Sequence, residues 1–141
     1  MPARLTAQRA ATADDFPGLT FCQADSATTR LSVAATDTLL RAQLEAHEAV
    51  HRAQAAASGS CATIFASLNT ARKILDAEFP AYCAQWRVAV AQGAEPRETR
   101  RDFAWRMAAQ SGAMENRLQM EQRMQNECAQ SPVTPPEPAA H

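Results

Sequence analysis

Residues 37–59 carry the pattern that most restricts how this chain can fold. Leu40, Leu44, His47 and His51 follow one another at gaps of 4, 3 and 4, the spacing that puts side chains on one face of an α-helix. The segment also holds its own stop and start signals. Thr36 or Asp37 can accept from the free N–H groups of a first turn, and Gly59 in "ASGS" can end the helix in the left-handed conformation. Two imidazoles therefore lie one above the other on the stripe that should point into the protein, where a solvated run of charge would not fall.

The remainder reads as more helix around this one, in a chain of 141 residues that suits a single domain. Upstream, "LTFC" and "TRLSV" can pair as a short β-ribbon about the turn "QADSATT". Downstream, a second helix is expected from about Cys61 to Gly93, with Pro80 either kinking it or opening a new segment because proline lacks a backbone donor. A third begins near Pro96 and runs toward Cys128, with Phe103, Met107, Met114 and Leu118 at helical spacing as its core face and Gly112 weakening its middle. Trp86 and Trp105 are expected in the core or lining a groove. Residues 1–15 read as a flexible arm and 131–141, "SPVTPPEPAAH", as a disordered proline-rich tail that takes His141 out of consideration. The expected fold is thus mainly α, a small helical domain over 16–130 with a short N-terminal β-ribbon.

Charge and hydropathy exclude several classes. Fourteen basic residues against 15 acidic ones, a formal charge of −1, provide no basic footprint for nucleic acid. The arginines of "EPRETRRDFAWR" interleave with acidic residues and read as a solvated helix start. No apolar run reaches the ~20 residues that span a bilayer, so no membrane insertion is expected, and the first residues lack the apolar segment of a secretory signal. Cys22, Cys61, Cys83 and Cys128 lack the close pairing of a structural zinc site, which leaves two disulfides in an oxidising compartment or four buried thiols. A continuous helix would hold Cys61 and Cys83, 22 positions apart, ~33 Å from each other, too far to bridge. Cys22–Cys61 with Cys83–Cys128 is then preferred over Cys22–Cys83 with Cys61–Cys128, since it staples the ribbon across the histidine helix.

The chemistry sits on the histidine stripe. His47 and His51 can reach one ion, and Glu48, about 100° further round the helix, can hydrogen-bond a water held on it. "HEAVH" is therefore an HExxH sequence, in which Zn²⁺ acidifies a water and the glutamate accepts its proton during attack on a peptide carbonyl. A catalytic zinc takes three protein ligands. The apolar stripe Cys61, Ile64, Leu68, Ala71, Leu75 continues at gaps of 3 and 4 to Glu78 and Tyr82, and a carboxylate on such a face asks for a cation or strong donors. Glu78 is thus the expected third ligand, with Asp76 its rival two positions off the stripe. Tyr82 can donate its hydroxyl to a developing oxyanion. Without a metal, Glu48 would face solvent and pair with Arg52.

His47, Glu48 and His51, followed 27 positions after His51 by Glu78 in "EFPAYCAQ", resemble the HExxH zinc metallopeptidases with a downstream glutamate ligand, the gluzincin arrangement. More narrowly, residues 37–92 are similar to very short bacterial members found in secreted proteins and at the ends of toxin polypeptides. The resemblance implies a minimal zincin-like domain with His47, His51 and Glu78 as zinc ligands and Glu48 as base. It also implies a peptide or protein substrate, a cognate inhibitor protein as partner, and a secreted or periplasmic location. A competing expectation from another class is a disulfide-stapled helical binding module, such as a periplasmic inhibitor or immunity protein, in which the histidines are structural.

Overall fold

The computed structural model describes residues 18–128 apart from 24 and 35; the expected arm, tail and His141 lie outside them. The fold is mainly helical with one antiparallel ribbon and two disulfides, in the expected pairing of Cys22–Cys61 and Cys83–Cys128. β1 (Gly18–Gln23) pairs with β2 (Ser26–Leu31), Thr20 opposite Thr29 and Gln23 opposite Ser26. The expected turn "QADSATT" is mostly strand. Asp25, at φ 63°, takes the left-handed conformation its short polar side chain tolerates, and the β-favouring threonines pair directly beyond it.

Five helices follow. α1 (Thr38–Ser58) starts where Asp37 accepts from Leu40 N at 3.1 Å and stops at Gly59, φ 78°. The single helix expected over 61–93 is two helices, α2 (Cys61–Ser67) and α3 (Ala71–Ala91). The break falls at Leu68–Thr70 rather than at Pro80. Ser67 Oγ donates to Ile64 O at 2.7 Å and Thr70 Oγ1 accepts from Lys73 N at 3.1 Å; these local side-chain bonds end one helix and cap the next.

Pro80 lies inside α3 on its exposed side. The carbonyl deprived of a donor belongs to exposed Asp76, where water can replace it. Pro80→Ala should therefore restore one helical bond and raise stability by about 1–2 kcal/mol. A lower thermal midpoint in the variant would show that α3 depends on its proline.

The third expected helix also divides, into α4 (Pro96–Gln110) and α5 (Arg117–Glu127), with a 3-10 turn at Met114–Asn116 between them. Gly112, at φ 70°, carries the break. It resets the helical phase, so Phe103 and Met107 are buried as expected whereas Met114 and Leu118 are 42% and 63% exposed. The inward face of α5 is instead Met120 and Met124, followed by Cys128.

Two apolar clusters form the core, and α3 contributes to the larger. Leu75, Phe79, Tyr82, Cys83 and Trp86 pack with Phe103, Met107, Met120 and Met124 of α4 and α5, and the Trp86 indole donates to Pro96 O at 2.9 Å. Trp105, expected in the core or lining a groove, is instead 39% exposed, with the Arg117 guanidinium over its ring. A smaller cluster of Ala55, Cys61 and Phe65, with Cys22 and Ala27 against it, joins the ribbon to α1 and α2. Residues 43, 47, 51 and 54 of α1 meet, in that order, Gln92 at the C-terminal cap of α3 and residues 85, 78 and 77 within it, so the two helices run antiparallel. The polar side chains of the histidine stripe are buried along this seam.

Candidate metal centre

The α1–α3 seam brings together three of the residues singled out in the sequence. His47, His51 and Glu78 are 4%, 0% and 0% exposed. Glu78 Oε1 lies 2.8 Å from His51 Nε2 and 3.1 Å from His47 Nε2, and the two Nε2 atoms are 3.2 Å apart. Each residue offers one ligand atom to a common point. A zinc ion with bonds of about 2.0 Å holds tetrahedral ligands about 3.3 Å from one another, which is close to this triangle. Asp76, the rival ligand, is exposed and pairs with Arg72 and Arg123.

The outer nitrogens decide which protons are present. His51 Nδ1 lies 3.0 Å from Gln54 Oε1, and the Gln54 amide is fixed end for end because its Nε2 donates to Ala77 O at 2.8 Å. His51 must then donate from Nδ1, so in the neutral ring Nε2 is a bare lone pair. His47 Nδ1 makes the matching contact with Gln85 Oε1 at 3.0 Å. Two lone pairs and a carboxylate oxygen consequently meet in one buried spot, an arrangement that repels itself without a positive charge. Glu78 Oε2, also buried, has no hydrogen-bond partner.

The electrostatics register the same demand. Burial pulls the His51 pKa down, but the Glu78 charge, its hydrogen bond and the nearby Glu48 carboxylate outweigh this and raise it to about 9. Burial likewise pushes Glu78 up, while His51 and His47 hold its carboxyl down at about 2. One proton on His51 answers part of the need, yet it leaves His47 Nε2 facing a carboxylate and Glu78 Oε2 unpaired. A dication serves all the donor atoms at once, so the residues present fit zinc.

Glu48 is not the solvent-facing partner of Arg52. It is 2% exposed, with Oε2 3.7 Å from His47 Nε2. Its other oxygen accepts from Thr20 Oγ1 of β1 at 2.9 Å, and Thr20 Oγ1 is 3.1 Å from Thr29 Oγ1. Arg52 donates to that same Thr29 hydroxyl and pairs with Glu45. A hydroxyl has one proton to give, so the bonds run in one direction, from Arg52 through Thr29 and Thr20 to Glu48. Gly18, two residues before Thr20 and on the same strand face, packs so closely that an added Cβ would sit 3.1 Å from Glu48 Oε2.

Tyr82 lines the seam without reaching the triangle through its hydroxyl. The ring stands edge-on to His47, with centroids 4.6 Å apart, and the hydroxyl donates to Gln110 Oε1 at 2.7 Å. Burial first, and then the Glu78 charge, raise its pKa well above the ordinary phenol value. Gln54, Gln85 and Thr20 escaped the sequence reading. Gln85 had a signal, since it follows Glu78 and Tyr82 at gaps of 4 and 3 on one stripe; Thr20, 28 positions from Glu48, had none. Comparison of the chain with protein-family models, with curated proteins and with solved structures finds no match.

Proposed function

We propose that this protein is a zinc-dependent metallopeptidase that uses His47, His51 and Glu78 as ligands and Glu48 as general base. One observation carries the reading: the Nε2 atoms of two imidazoles and a carboxylate oxygen lie within 3.2 Å of one another, with the HExxH glutamate beside them. When bound, zinc supplies a Lewis acid that polarises a peptide carbonyl and brings the pKa of a water toward neutrality. Glu48 accepts a proton from the attacking water and passes it to the leaving amine as the C–N bond breaks. The donor chain from Arg52 keeps one carboxylate oxygen fixed, leaving Oε2 to handle that proton. Tyr82 orients the His47 ring, and its oxyanion role requires the hydroxyl to leave Gln110.

The two disulfides suit an oxidising compartment, and no helix of the described residues is long and apolar enough to cross a membrane. We place the protein as a secreted or periplasmic bacterial toxin or effector acting on peptide or protein substrates, with a cognate inhibitor as partner. One finding favours the second reading, a helical binding module without catalysis. Glu48, covered by β1, and the three ligand residues are all nearly inaccessible, as in a closed structural site.

The metallopeptidase reading stands or falls first on the metal, and the binding-module reading survives without it. Purified protein dialysed against zinc is expected to retain one ion per chain, and His51→Gln to retain none. With free zinc at 100 times its dissociation constant, stabilisation should be about 2.7 kcal/mol, or roughly 10 °C in thermal midpoint for a domain of this size. Coincident midpoints with zinc and with chelator, and no metal by elemental analysis, would remove the metal centre.

A further inference from the structure

Resting on the zinc reading, we infer that Gln54 and Gln85 are the positioning residues of the centre, and that their neutral amides keep the ion exchangeable where carboxylates would hold it fast. Ligating histidines characteristically donate their second ring N–H to a fixed acceptor, which sets the tautomer and the ring angle. Both imidazoles here do so to an amide oxygen, at 3.0 Å in each case.

The two amides work differently. Gln54 stands one turn beyond His51 on α1 and donates to Ala77 O on α3, the residue immediately before Glu78. It therefore clamps the His51 ring to the stretch of backbone that presents the third ligand, and sets the 2.8 Å between His51 Nε2 and Glu78 Oε1. Gln85 belongs to α3, two turns beyond Glu78, and reaches back to His47 on α1. Each imidazole is thus oriented by an amide tied to the opposite helix, and the seam cannot slide without turning a ring.

The choice of amide has a chemical consequence. A carboxylate on Nδ1–H draws that proton away and makes Nε2 a stronger base toward the metal. Glu48 and Glu78 already bring two carboxylates into a buried site, and a third anion there would be costly until an ion arrives. An amide supplies the geometry without adding negative charge. The zinc-free fold is spared a third buried anion, and the bound ion is held less tightly than between carboxylate-backed histidines.

The experiment measures zinc affinity by chelator competition on the full-length oxidised protein, with the visible absorption of the Co²⁺ form as a readout of coordination geometry. Gln54→Leu and Gln85→Leu should each weaken zinc by about 10–100-fold and alter the Co²⁺ bands. Gln85→Glu, which keeps an acceptor at Nδ1, should bind at least as tightly as the parent protein, with slower release and parental bands. Circular dichroism of the zinc-free variants confirms that they fold. Folded leucine variants with parental affinity and spectrum would overturn the inference, as would a Gln85→Glu variant that weakens zinc as much as leucine does. Failure of the unaltered protein to bind zinc is a different result, and it overturns the metal centre itself.

Discussion

Glu48→Gln is expected to leave zinc bound while lowering peptide hydrolysis by about 10²–10⁴-fold, the contribution of a positioned general base. Glutamine retains the carbonyl oxygen that accepts from Thr20 at 2.9 Å and has the volume to fill the space against Gly18. It removes only the proton-accepting capacity of the oxygen beside His47 Nε2. Because Glu48 lies outside the ligand triangle, metal content by elemental analysis should stay at the parental value. The assay is cleavage of an unfolded protein or a fluorogenic peptide mixture by the zinc-loaded chain. Unchanged cleavage would take the base role from Glu48, and loss of zinc would make it a ligand. A zinc-loaded parent protein that cleaves nothing would favour the binding-module reading, in which the carboxylate is one more buried polar group with a fixed partner.

The parts of this site legible in the sequence were those that depend on helical period alone. Leu44, His47 and His51 are buried because α1 runs unbroken from cap to cap. Glu78 and Tyr82 are inward because Ala71, Leu75, Glu78 and Tyr82 all fall within α3, so the break before Ala71 did not disturb their phase. Where a break intervened, the same reasoning failed. Met114 and Leu118 continue the stripe of Phe103 and Met107 on paper, but the left-handed residue Gly112 turned the chain between them. Periodicity is also blind to what covers a face. That Glu48 meets Thr20 rather than water depends on β1 folding over α1, a contact 28 positions apart in sequence. A single helix over 61–83, on which the expected disulfide pairing rests, is divided in the structure into α2 and α3. The pairing holds nonetheless, because Cys61 and Cys83 belong to separate apolar clusters on either side of the break.

That separation gives the two disulfides different work. They link positions 39 and 45 residues apart, and chain entropy alone assigns each about 4 kcal/mol. Cys83–Cys128 lies inside the α3–α4–α5 core, so Cys83→Ser with Cys128→Ser should lower global stability by about that amount, or roughly 15 °C in thermal midpoint. Cys22–Cys61 ties the ribbon to α2 at the smaller cluster, on the strand face that also carries Gly18 and Thr20. Its replacement by serines should loosen β1 first, releasing Thr20 from Glu48 and admitting solvent to the metal centre while the core stays folded. Amide hydrogen exchange distinguishes the two cases. Faster exchange confined to β1 and β2 is expected without Cys22–Cys61, and faster exchange through α3, α4 and α5 without Cys83–Cys128. If both pairs gave the same global loss with the ribbon still protected, β1 would be an integral part of the core and not a cover. The burial of Glu48 would then be permanent, and a catalytic role for the HExxH helix would lose its route to substrate.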